Sequence, residues 1–401
     1  MKKKIGFQIK PKPTNPIWTY VQLLAIALGI FLALLLRFKL RTFESMDYLS
    51  HVKFWYQTIS DGIESLGMNI SDYTPPYLYF LYIISKIMPH LENIVAIKIP
   101  ATISDLVMAG YVFAIVRLKY KEGPVPWLAF FAILFAPTVV LNSAYWGQVD
   151  SLYTFALVAC IYYVLKEKKF LAGLAFGIAF AIKLQSIFFI PFILVLWLKK
   201  RMTWKELLLT PGVYLLAILP SWVLGQSFLD LISIYIVKNE VCLRLVHNAP
   251  SLYNWLPQSK YAVLFPYGLA LFAGVCGVFL WVVQKSRVKL SRALIIQLAL
   301  TSVLVLPFFL PKMHDRNFYP ADVISIIFGF YFPNLFIVPL VVNLTSYLSY
   351  QNYFLDQAVF SQSWMAALLL VVIIIVVRHL LITLYPPKVK NQPPDPISLT
   401  E

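Results

Sequence analysis

The sequence predicts an all-α integral membrane protein, with about twelve spanning helices and two more lying at one membrane surface. Three observations predict this. Hydrophobic residues make up 60% of the 401-residue chain and charged residues only 13%, whereas a soluble domain carries about 25% charged. The mean hydropathy is +0.74. The apolar residues form long uninterrupted runs separated by basic segments. In lipid the backbone must satisfy its own hydrogen bonds, so such runs form helices and not a barrel.

The first apolar run, Ile17–Leu36, follows the basic stretch MKKKIGFQIKPKPTNP and ends without a small-residue cleavage site. It reads as a spanning helix, not a removable signal. The spans are read at 17–37, 99–118, 125–144, 149–166, 169–183, 186–198, 207–225, 263–283, 292–310, 319–333, 335–350 and 362–384, to about ±4 residues. Charge sets the orientation. With the N-terminus inside, the inner segments (RLKYKEGP, KEKK, KKRMTWKE, QKSRVKLSR and both termini) hold 22 of the 34 Lys and Arg residues. That is the positive-inside pattern. It accounts for the net charge of +16 without a nucleic-acid partner. Of Cys160, Cys242 and Cys276, the first and last fall inside apolar helices, so no structural disulfide is expected.

Tyr73–His90, YTPPYLYFLYIISKIMPH, is apolar but short for a span of about 20 residues. Counting it as one would place the basic segments outside, against the charge rule. It is therefore assigned to a long first external loop, residues 38–98, with Pro75 and Pro76 in the first turn of a surface helix. The same loop holds YLSHVKFWYQTISDGI, where Val52, Trp55, Tyr56, Ile59 and Ile63 share one helical face. That pattern suits a helix in the membrane interface or one packed on protein.

This topology brings several polar clusters to the outer face: Glu44 and Asp47; Asp72; Trp146, Gln148 and Asp150; Lys183 and Gln185; Arg244, His247, Asn248 and Trp255; and Lys312, His314, Asp315 and Arg316. Taken singly each has a bland reading. Asp47 could be a solvated loop carboxylate, Lys183 could snorkel, His247 could cap a helix, and Trp146 and Trp255 could belong to an aromatic belt. Asp105 and Asp322 read as helix-packing groups. Jointly, mixed acids and cations on one face indicate a functional site there. A carboxylate can take the proton of an attacking hydroxyl, and cations can stabilise a departing phosphate. An activated donor outside the membrane has to arrive on a lipid.

The motifs resemble the GT-C superfamily of polytopic glycosyltransferases, which use polyprenyl- or dolichyl-phosphate sugars. The likeness is closest to bacterial mannosyltransferase-like members and weaker to the dolichyl-phosphate-glucose glucosyltransferases. It runs through ESMDYLSHVKFWYQTI, DYTPPYLYFLY, NSAYWGQVDSLY, KLQSIFFIPF, NAPSLYNWL and PKMHDRNFYPADV. His-Asp-Arg stands where the family more often has His-Glu-Arg, and Glu44 lies three residues before Asp47, so the first loop has no paired DxD.

The resemblance implies a GT-C fold and an inverting hexosyltransferase, for mannose or glucose, with Asp47 as catalytic base. It implies Lys312, His314, Arg316, Arg244 and Lys183 on the donor phosphate, and Asp72, Trp146, Gln148, Asp150, Gln185, His247, Asn248 and Trp255 on sugar or acceptor. No cofactor is required and no metal site is expected; Mg or Mn is the less favoured case. The expected partners are a lipid-linked sugar donor, a glycan, lipid or protein acceptor, and membrane lipids. The chain then divides into a basic N-terminus 1–16, a catalytic module 17–330, helices 331–384 and a disordered tail 385–401, in a bacterial inner membrane with both termini cytoplasmic and the active site external. The rivals are a secondary transporter or flippase, which would show repeats and a midplane site, and a glycan polymerase or ligase.

Overall fold

The computed structural model describes residues 16–237, 243–355, 357 and 359–387. The basic N-terminus through residue 15, Cys242 and the tail from residue 388 lie outside them. In chain order the helices are α1 (Pro16–Leu40), α2 (Lys53–Asp61), α3 (Pro75–Ile87), α4 (Asn93–Arg117), α5 (Val125–Leu134), α6 (Pro137–Val140), α7 (Asp150–Leu165), α8 (Lys169–Ile182), α9 (Ile190–Leu198), α10 (Trp204–Val223), α11 (Phe228–Val237), α12 (Tyr261–Lys285), α13 (Arg292–Phe309), α14 (Tyr319–Tyr331), α15 (Ile337–Phe354) and α16 (Gln362–Leu384). The strands β1 (Val246–His247) and β2 (Met313–His314) pair in parallel.

About twelve spanning helices were expected, the two at 169–183 and 186–198 already too short to cross a bilayer unaided. Among the described residues, six helices are long and apolar enough to cross a membrane, and a seventh forms if the bent pair α5 and Pro137–Trp146 is one span. The expected spans are present as helices, but α7, α8, α9 and α14 are short. A helix buried in protein can end below the lipid surface, because neighbouring side chains satisfy its last carbonyls. α8 shows this: the Thr74 hydroxyl donates to the Ala181 and Ile182 carbonyls, at 2.7 and 2.8 Å.

α3 has 13 residues and starts on Pro75 and Pro76. At 1.5 Å per residue it reaches about 20 Å, too short for a hydrocarbon core of about 30 Å. α2 buries Trp55, Tyr56 and Ile59 against protein. Ile63 departs from the expectation and is 47% exposed, because Gly62 is extended (φ −171°, ψ 171°) and breaks the helical phase. The outer segment after α10, read as loop, contains α11.

The predicted inner segments meet at one end of the bundle. Lys119 donates to the Tyr331 carbonyl, Arg292 to Leu118, Lys199 to Ser286, and Arg201 pairs with Glu167. α7 and α13 run from that end to the other in opposite directions, so Asp150 and the 312–317 turn share the far end. Inside the bundle, Arg37 pairs with Asp105 at 2.8 Å and also donates to Leu134 O, the carbonyl freed where α5 breaks. Ser143 donates to the same Asp105 oxygen. Asp105 is thus a helix-packing group, as is Asp322, which accepts from Ser346. Removing one partner of such a buried pair costs about 3–5 kcal/mol.

The topology has a direct check. In intact cells, Lys121→Cys is expected to resist a membrane-impermeant thiol reagent that labels Asp72→Cys, and to react once the inner face is opened. Labelling of both from one side would break this arrangement.

Candidate active site

Asp47 lies between α1 and α2, in a segment fixed from three directions. Lys98, on α4, donates to the carbonyls of Leu40, Arg41 and Phe43 at 3.4, 3.1 and 2.8 Å. This cation caps the C-terminal end of α1, where carbonyls lack helical partners. Phe43 stacks on Tyr145, centroids 3.7 Å apart. Ser45 donates to the Trp146 carbonyl at 2.8 Å. Gly147 turns the chain between Trp146 and Gln148 with φ +80°, a left-handed conformation that favours glycine.

The carboxylate of Asp47 is the convergence point. Its Oδ2 accepts from Trp146 Nε1 at 3.1 Å, Gln148 Nε2 at 2.5 Å and an Arg316 guanidinium N–H at 2.9 Å. Oδ1 accepts none of these three. Tyr353 stacks on Trp146, centroids 4.2 Å apart, and its hydroxyl accepts the Asp47 backbone N–H. Tyr73 donates to the Gln148 side-chain carbonyl. Burial disfavours the charged form of Asp47, but the Arg316 charge and the surrounding hydrogen bonds outweigh it and hold the carboxyl below its usual value. Asp47 is therefore ionised at neutral pH, the state a base requires.

Arg316 belongs to the turn after α13. Lys312 there has φ +64°, and its N–H donates to Leu245 O at 2.7 Å. The short strand pair stacks His247 on His314, rings nearly parallel with centroids 4.7 Å apart. Burial, then the Arg316 charge, pushes His314 down to about 3; burial and Arg244 lower His247. Both imidazoles are neutral at pH 7 and offer N–H groups rather than charge. Burial pushes Asp315 up to about 7.

Beside this turn opens a cavity of about 690 Å³. Lys312, His314, His247 and Gln185 supply polar lining; Ile187, Phe188, Phe265 and Leu269 are among its apolar walls. The Lys312 ammonium lies over the Tyr261 and Phe265 rings. Gln185 Oε1 is buried with no hydrogen-bond partner among the described residues.

Other expected residues sit differently. Trp146 and Gln148 were expected on sugar or acceptor, yet both are buried with their N–H groups on Asp47. Asp150 is buried, pairs with Lys183 at 2.5 Å and accepts from Asn142; neither Asp150 nor Lys183 lines the cavity. The buried lysine found its anion inside the protein, which offsets its desolvation cost and removes the need for a ligand as counter-ion. Arg316 faces Asp47 and is not in the cavity wall. Asp72, Arg244, Asn248 and Trp255 are solvent-exposed and line neither the cavity nor the carboxylate. Lys98, Tyr73 and Tyr353 were missed. A lysine one turn into an apolar helix was the available signal for Lys98.

The fold, with this site at the end of the bundle away from the basic segments, and the family match together define the class: a polytopic glycosyltransferase of GT-C type. The profile of glycosyltransferase family 87 matches residues 73–307, and the chain belongs to that family. In fold it is similar to ArnT from Cupriavidus metallidurans bound to undecaprenyl phosphate, at TM-score 0.53 and 12% identity, covering 90% of this chain and 76% of that one. The apo state of the same ArnT aligns at TM-score 0.46 and 13% identity, over 90% and 78%. A search of curated proteins finds no match.

Lys98→Met is expected to cost roughly 2–3 kcal/mol of stability. It should also lower sugar transfer by up to about 10²-fold, because small displacements of a reacting group are that costly. Thermal unfolding and turnover of the purified protein in detergent check both.

Proposed function

We propose that the protein is an inverting hexosyltransferase. It would move one sugar, mannose or glucose, from a polyprenyl-phosphate donor to a hydroxyl of a glycan, lipid or protein at the external face of a bacterial inner membrane, both termini lying inside. One observation carries this reading. The 312–317 turn faces the 690 Å³ cavity with Lys312 and His314 and reaches Asp47 through Arg316. A phosphate group and a base are thereby brought to one place. The apolar walls suit a polyprenyl chain, and the polar end suits its phosphate. The ArnT structure, of like fold, holds undecaprenyl phosphate.

In the mechanism, Asp47 accepts the proton of the acceptor hydroxyl, whose oxygen attacks the anomeric carbon. The carbon–oxygen bond to phosphate breaks on the opposite face, and the lipid phosphate leaves with the electron pair. Lys312 supplies charge to it, and His247 and His314 supply N–H groups. A single base with attack opposite the leaving group gives inversion. Gln185, with an unmet polar atom at the cavity wall, would meet a sugar hydroxyl.

We further propose that no divalent ion is needed, because three N–H donors converge on Oδ2 of Asp47, a set that competes with a cation.

Purified protein incubated with a panel of polyprenyl-phosphate sugars is expected to release the lipid phosphate for one of them. Asp47→Asn should lower that rate about 10²–10⁴-fold in a protein that still inserts. Near-normal turnover would remove Asp47 from the chemistry. Chelation with EDTA should leave the rate within twofold of its starting value; collapse restored by Mg or Mn would refute metal independence.

A further inference from the structure

We propose that Arg316 is an exchangeable partner: bound to Asp47 in the empty site, it moves to the donor phosphate when the lipid enters and so releases Asp47 as base. This deepens the reading above and rests on it.

The comparison of three ion pairs carries the inference. Arg37–Asp105 and Lys183–Asp150 have side-chain exposures of 5% and 0%, and 6% and 1%. They are sealed and structural. Arg316–Asp47 has 22% and 32%, so this pair is not sealed. Among the groups bonded to Asp47, Trp146 and Gln148 are neutral and buried, and only Arg316 is charged. If Arg316 leaves, the two neutral donors still orient the carboxylate. Its neighbours in the turn, His314 and Asn317, already line the donor cavity. A phosphate offers a guanidinium two parallel hydrogen bonds, whereas Asp47 offers contact through one oxygen.

The exchange serves the chemistry twice. A carboxylate relieved of a cation is a stronger base. A leaving phosphate gains negative charge as its bond to carbon breaks, so Arg316 binds it most tightly in the transition state. The step balances: the hydroxyl proton ends on Asp47, the new bond joins acceptor oxygen to the anomeric carbon, and the electron pair of the broken bond stays on phosphate. Deprotonation of the acceptor is thereby tied to the presence of donor.

Two pH profiles test the proposal on the whole wild-type protein. kcat/KM for the donor reports the free enzyme, and kcat/KM for the acceptor at saturating donor reports the donor complex. The acid limb is expected at lower pH in the first profile than in the second. In Arg316→Gln the donor KM should rise and the two limbs should coincide. Coincident limbs in the wild type, with Arg316→Gln raising donor KM alone, would reduce Arg316 to a plain phosphate ligand and overturn the exchange. No turnover with any polyprenyl-phosphate sugar would instead overturn the underlying donor assignment.

Discussion

The ion pair between Asp47 and Arg316 joins residues 269 positions apart in the chain. Its formation requires the connection between α1 and α4 and the turn after α13 to emerge at the same end of the bundle. That in turn requires α3 to stay out of the hydrocarbon core. If α3 crossed, every later helix would reverse and the pair could not close. The Pro-Pro start and 13-residue length of α3 make the non-crossing path the favourable one.

Rigidity around the site comes from backbone groups satisfied by side chains. Lys98 gathers three carbonyls at the end of α1, Thr74 takes two at the end of α8, and Arg37 takes one at the break of α5. Each solves a local shortage of hydrogen-bond partners in a medium without water. Each also ties a loop that bears site residues to a helix that cannot move freely. The carboxylate thus sits on a frame set by membrane physics, while its one charged partner remains partly open.

The electrostatics of the turn differ from a simple cationic patch. His314 and His247 are neutral, Asp315 titrates near neutrality, and Lys312 carries the charge at the cavity wall. Neutral imidazoles stacked in a half-buried strand pair can donate hydrogen bonds without adding repulsion to a cluster that already holds Lys312 and Arg316.

The sequence by itself determined the membrane class, the helix order, the two-sided charge pattern and the polar clusters of one face, the 312–316 turn among them. These are properties of composition, of run length against bilayer thickness, and of residues too polar for their surroundings; Asp47 stood out from the other carboxylates only through the family resemblance. The sequence could not decide which polar residues face a ligand and which satisfy one another. Lys183 and Asp150 looked like site residues because a buried charge needs a partner, and the tertiary structure made them each other's partner. Trp146 and Gln148 turned inward to hold Asp47, and Lys98 became visible only once the end of α1 lay beside it. Pairing across the bundle depends on distances between helices, which no local pattern encodes.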